Sequence, residues 1–261
     1  MRAPGSRFIG LAAVLVASCL AGCNSSTSGS DVTTTQSATG VWAGTDSATN
    51  LQVTGIINSA GQATFIRSDG VQFAGTVDVS DATVAATVTG YTNFNQTFSD
   101  GSTYGIGTLN GTVSTGSSLT ATLTFTTNGG TALTGSWSLS FETLSNNASS
   151  TGAVAGNYTD NSSGATLAIA SSGVMSEQNA ASGPMSGCVL NGSISTTDSS
   201  VNVYQVSYTL SVCTGTYAPL NGVQFTGLAY LDTNGSTPEL VIAVAGASST
   251  SKYAIVSNLN T

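Results

Sequence analysis

The chain has no histidine among its 261 residues. That single absence removes His-based catalytic triads, imidazole metal ligands and imidazole proton shuttling at neutral pH. Charge is nearly as scarce: 6% of residues are charged, against about a quarter in an ordinary globular domain. Four basic residues stand against twelve acidic ones, for a net charge of −8. Neutralising a phosphate backbone needs clustered Lys and Arg, so nucleic acid is excluded as a partner. With so little charge, the polar surface has to be built from Ser, Thr, Asn and Gln. Glycine is what abounds, with 31 residues and no three-residue period, which marks turns rather than collagen. An apolar content of 40%, gathered in β-branched runs, argues for a folded chain, and the length suits one large domain or two small ones.

Two of the four basic residues, Arg2 and Arg7, flank the start of an apolar run from Phe8 to Leu20. That run is shorter than the roughly 20 residues of a membrane span and reads as a signal peptide. It ends in Leu20-Ala21-Gly22-Cys23, which resembles the lipobox of bacterial lipoproteins residue for residue. The resemblance implies that residues 1–22 are removed and that Cys23 carries a diacylglyceryl group on its thiol and an acyl chain on its new amino terminus. Such an anchor exceeds the two signals that stable membrane attachment needs. Asn24 stands where the inner-membrane sorting pattern has Asp, which implies the outer membrane, with its periplasmic and surface faces both open. Residues 23–39 would form a lipidated polar tether with a reach of roughly 20 Å. Cleavage leaves Arg67 and Lys252 as the cations of the mature chain.

Beyond the tether the pattern is that of short strands. "NLQVTGIIN", "GQATFIRS", "VQFAGTVDV" and "ATVAATVTGY" are rich in Val, Ile, Thr and Phe and are separated by Gly, Asn, Asp or Ser. In "VQFAGTV", Val71, Phe73, Gly75 and Val77 share one face. No segment sustains a capped helical period. "GVQFAG" from Gly70 and "GVQFTG" from Gly222 follow Asp69 and Asn221, and Asp-Gly and Asn-Gly suit two-residue hairpin turns. The repetition is therefore read as architecture rather than chemistry. A longer repeat places Trp42 opposite Tyr158, and Leu51 and Val53 opposite Leu167 and Ile169. The expected fold is all-β, two tandem antiparallel up-and-down barrel-like or sandwich-like lobes of about eight strands each, at 40–145 and 154–261, joined by a linker at 146–153. One large two-sheet structure is the rival. Gly40-Val41-Trp42 also resembles the Gly-x-Trp opening of lipocalin-type barrels. Lobe 1 lacks the Arg or Lys that lipocalins place over that Trp, so no membership follows.

Cys188 and Cys213 flank a hairpin whose turn falls near Thr197 to Ser200, so they should face each other across adjacent strands as a structural disulfide. Without His or a Cys-x-x-Cys they make a poor metal or redox site. Asp78 and Asp81 bracket a turn. Asp232-Thr233-Asn234-Gly235 opens like a calcium loop but lacks the later ligands, so no metal and no cofactor are expected. The least repetitive stretch runs from Tyr91 to Gly107 and sets Tyr91, Phe94, Phe98 and Tyr104 among amides and hydroxyls. It could form a recognition surface, or its aromatics could plug the open end of lobe 1, with Tyr91, Phe94 and Phe98 spaced to suit one short helix. These observations lead to a non-enzymatic outer-membrane lipoprotein that binds a protein, a glycan or a small apolar ligand. A polysaccharide hydrolase working through Asp or Glu and a purely structural envelope component are the alternatives.

Overall fold

A computed structural model describes residues 35–160, 165–178, 187–248 and 252–261. Cys23, the signal segment and most of the tether lie outside the described residues. The first lobe is a closed eight-stranded barrel in which every neighbour along the chain is an antiparallel neighbour in space. Its strands are β1 (Gly40–Asp46), β2 (Leu51–Ile57), β3 (Gln62–Arg67), β4 (Gln72–Ser80), β5 (Thr83–Tyr91), β6 (Tyr104–Ser114), β7 (Ser118–Thr127) and β8 (Ala132–Phe141). The second lobe repeats the plan with β9 (Gly156–Asp160), β10 (Thr166–Ile169), β11 (Val174–Gln178), β12 (Val189–Thr196), β13 (Tyr204–Ser211), β14 (Gln224–Asp232), β15 (Glu239–Ala247) and β16 (Lys252–Asn260). There are thus two barrels, not one two-sheet body.

Alternation decides what fills each barrel. Along β7, Leu119, Ala121, Leu123 and Phe125 are buried while Ser118, Thr120, Thr122, Thr124 and Thr126 are exposed. The exposed hydroxyls align across strands, with Thr108 opposite Thr124, Thr124 opposite Thr134 and Thr120 opposite Ser138. This is the uncharged Ser/Thr surface that the composition demanded. Apolar-in and polar-out is the reverse of a membrane-spanning barrel. Trp42, Phe65, Phe73, Phe125 and Trp137 fill the first interior, with Phe65 and Trp137 ring centroids 5.0 Å apart. Gly90 makes room for this packing, since a Cβ there would lie 2.5 Å from the Phe125 ring. The second interior is closed by Tyr158, Tyr204, Tyr208 and Phe225 among aliphatics, and it holds a cavity of about 20 Å³. That is room for about one water, not a ligand.

The hairpin turns differ from the two-residue type expected at Asp69-Gly70. Arg67 N–H donates to Val71 O and Gly70 N–H donates to Arg67 O, with Gly70 at φ +86° and Asp69 not at positive φ. This is a three-residue loop ending in a left-handed glycine. The same pair of bonds recurs at Asn58–Gln62, Thr127–Thr131 and Ala170–Val174, around Gly61, Gly130 and Gly173. At Asn221-Gly222 only Gly222 has positive φ, and the turn follows a 3-10 segment, Gly215–Leu220, rather than joining strands directly. A single left-handed residue per turn explains why the punctuation is one glycine and not a pair of special residues.

The internal repeat is real at its first strand and shifted at its second. Trp42 Nε1 donates to Ala38 O and Tyr158 OH donates to Val154 O, each reaching back four residues to seal the base of its barrel. Trp42 pairs with Gly55, but Tyr158 pairs with Leu167. Leu167 is therefore equivalent to Gly55 and not to Leu51, because the first hairpin of the second barrel is four residues shorter.

The barrels pack on each other through outward-facing apolar residues. Val41, Ile56 and Leu144 meet Val203, Leu228, Tyr230, Val241 and Ala243. The connecting segment is pinned into this joint: Asn202 N–H donates to Ser145 O, and the Asn202 side chain bonds Leu144 O and both backbone groups of Leu231. Ser149 N–H donates to Ser199 O. Gln72, on the outer face of β4 opposite Ile66 at this joint, is fully buried with neither amide atom partnered among the described residues.

Candidate functional site

Each barrel has two rims, and the chain uses them differently. Gln36 N–H donates to Asp81 O, Thr115 N–H donates to Gln36 Oε1, and Ala38 joins the core, so the chain enters barrel 1 at the rim of the β4–β5 and β6–β7 turns. The opposite rim carries the β3–β4 turn and the long β5–β6 connection. Between them lies an open cleft of about 480 Å³ lined by Arg67, Asp69, Val71, Thr92, Gln96, Thr97, Phe98, Ser99 and Leu133.

The alternation that buries Ala63 and Phe65 also turns Arg67 inward at the end of β3, opposite Val53. Its guanidinium lies 5.9 Å from the Phe73 ring centroid, and its side chain is 13% exposed. Arg67 Nε and Nη2 donate to the two carboxylate oxygens of Asp69 at 2.9 and 2.7 Å. Partial burial pushes the Asp69 carboxyl upward, but the bonds and charge of Arg67, with the Val71 N–H, outweigh it and hold the carboxyl below the usual range. The result is a paired donor and acceptor presented at the edge of an apolar floor.

The four aromatic residues of the Tyr91–Tyr104 segment are divided among three tasks. Phe98 is in the barrel 1 core, its centroid 5.5 Å from Phe125. Phe94 turns the other way, to Tyr217 at 5.2 Å and Tyr253 at 5.1 Å in barrel 2. Tyr104 receives Lys252 Nζ of barrel 2 at 4.6 Å from its ring centroid, and Tyr91 stands opposite Tyr104 in the ladder. Burial raises the Tyr91 hydroxyl pKa, against a bond with Thr89 that lowers it. The segment forms no helix. Instead Phe94 N–H donates to Ala254 O and Ala254 N–H donates to Thr92 O, which covers part of the edge of β16. Among the described residues β16 pairs with β9 through Leu259–Asp160 and Asn260–Thr159, at the far end of the strand from Ala254.

What the segment leaves facing the cleft is polar. Gln96, Thr97 and Ser99 are exposed, and among the described residues their side chains have no bonding partner. Asp100 anchors the loop's end: it accepts from the Ser102 hydroxyl at 2.6 Å, from Thr127 Oγ1 and from the Ser102 N–H at 3.0 Å, which together hold its carboxyl well below the usual range. Arg67, Asp69, Gln96 and Thr97 were not singled out from the sequence. The signal existed, since Arg67 shares the Ala63–Phe65 face and so had to point inward.

Cys188 and Cys213 form a disulfide just beyond the last register pair of β12 and β13, Val189–Ser211. The odd residue, exposed Val212 at φ +57°, bulges outward and lets Cys213 turn in. Asn221 then clamps the Cys213 backbone, accepting from its N–H at 2.7 Å and donating to its carbonyl at 2.8 Å. Asp232 closes its turn by accepting from Asn234 N–H. No protein-family model matches this chain, and no curated protein matches it.

Proposed function

We propose that this chain is a non-enzymatic binding module of the bacterial envelope, held in the outer membrane by a lipid on Cys23, that meets its ligand at the outer cleft of barrel 1. The observation that carries this reading is the contrast between packed barrel interiors and an open cleft of about 480 Å³ on the rim. Among the described residues the barrel interiors are filled by side chains, which favours recognition on the outside. The chain also enters barrel 1 at the rim opposite the cleft, which supports presentation away from an anchor. A hydrolase needs two opposed carboxylates across its substrate, and the lining of this cleft contains one, Asp69, already engaged by Arg67.

Two measurements test the proposal. Cys23→Ser should abolish labelling by a fatty-acid analogue and release the protein from membranes; unchanged labelling removes the anchor. In cells, a photo-crosslinking residue at Thr97 should trap a specific envelope component, whereas the same residue at Thr124, on the hydroxyl face of β7, should not. Equal trapping at both positions would take the site away from the cleft.

A further inference from the structure

We propose that the cleft takes a neutral saccharide, one to two pyranose rings long, gripped between the Arg67–Asp69 pair and the polar edge of the β5–β6 connection. The inference rests on the binding-module reading and names its ligand class. A guanidinium has five N–H donors. Arg67 spends two on Asp69, and among the described residues the other three have no partner, although the side chain is 13% exposed. No Arg67 nitrogen is among the fully buried atoms left without a partner, so these donors open onto the cleft, within reach of acceptors that arrive from outside.

The composition of the lining selects among acceptor-bearing ligands. Arg67 and Asp69 cancel in charge, and the chain as a whole carries −8, so its field opposes an anion. Neutral, acceptor-rich and donor-rich together describes a polyol. Vicinal hydroxyls can donate to Asp69 and accept from Arg67 at once. The Gln96 amide and the Thr97 and Ser99 hydroxyls can each do both. Val71, Phe98 and Leu133 supply an apolar floor for the C–H face of a sugar ring. A volume of about 480 Å³ sits within the roughly 300–1,000 Å³ of small-molecule sites. A peptide strand would instead need free backbone edges, and at Ala254 the edge of β16 is already taken by Thr92 and Phe94.

The test is an array of immobilised neutral and acidic di- to tetrasaccharides, probed with the detergent-solubilised full-length protein at low and high salt. The expected result is binding to a subset of neutral glycans, little changed by salt. Gln96→Ala and Thr97→Ala, exposed positions that leave the fold intact, should each weaken it about tenfold, equivalent to about 1.4 kcal/mol. Arg67→Lys, which keeps the charge but loses the fork, should abolish it while melting shows a folded protein. Salt-sensitive capture of acidic glycans only would overturn the ligand class. Neutral binding that survives all three substitutions would overturn the site. An empty array alongside a specific protein crosslink from Thr97 would sink the saccharide and leave the binding module standing; an empty array with no crosslink would sink both.

Discussion

Phe98→Ala separates a ring that holds the barrel together from one that waits for a ligand. The Phe98 side chain is 9% exposed and packs against Phe125 at 5.5 Å, inside the cluster that contains Phe73 and Trp137. Truncating a buried Phe costs about 3–5 kcal/mol, from lost transfer energy and the cavity left behind. Here the open cleft adjoins the ring, so water can enter part of the void, and the lower end, about 3 kcal/mol, is expected. For a chain of this size each kcal/mol moves the melting temperature by about 2–4 °C, so the drop should be roughly 6–12 °C. Differential scanning calorimetry of the full-length protein would measure it, with Thr97→Ala as a surface control that shifts stability by less than about 0.5 kcal/mol. A Phe98→Ala protein melting within about 2 °C of the parent would refute the core placement, and with it the apolar floor assigned to the cleft.

The Cys188–Cys213 bridge closes a loop with a separation of 25 residues, and its removal by the Cys188→Ala, Cys213→Ala pair should cost about 3.5 kcal/mol in the chain-entropy picture, read as a lower urea midpoint. An unchanged midpoint would place its effect outside stability. Gln72→Met removes a fully buried amide with no partner among the described residues and should stabilise the protein by about 1 kcal/mol; a loss of stability would mean that the amide holds a bridging water. Asp100 titrates below its unfolded value, so its contribution is present above about pH 4 and is lost as pH falls through the lower folded value. Asp100→Asn should therefore flatten the acid limb of a stability profile, and an unaltered limb would exclude the Ser102 and Thr127 bonds as its source.

Much of this fold is legible in the residues because barrel strands obey a short-range rule. Period-two alternation assigns Phe73 and Val77 to the inside and Thr120 and Thr124 to the outside whatever the rest of the chain does. Hairpin symmetry likewise brings Cys188 to within one residue of Cys213: the register places it opposite Val212, and the bulge there supplies the last step. Turn type is less legible: Asp-Gly permits two loop lengths, and the local bonds at Arg67 and Val71 choose the longer.

The candidate site was mostly hidden, for a different reason. Aromatic content drew attention to Tyr91, Phe94, Phe98 and Tyr104, yet composition cannot say which neighbour a ring will find. Phe98 goes to Phe125, and Phe94 goes to Tyr217 and Tyr253, more than a hundred residues further along the chain. By itself, the sequence determined the strands, their inward faces, the bridge and a surface nearly free of charge, because each follows from local periodicity and chemistry. Tertiary structure alone decided that side chains fill the interiors among the described residues, that the aromatic loop braces one barrel against the other, and that Arg67 and Asp69 meet Gln96 and Thr97 across a cleft. Those outcomes depend on volumes and on contacts between segments far apart in the chain, and no local pattern records them.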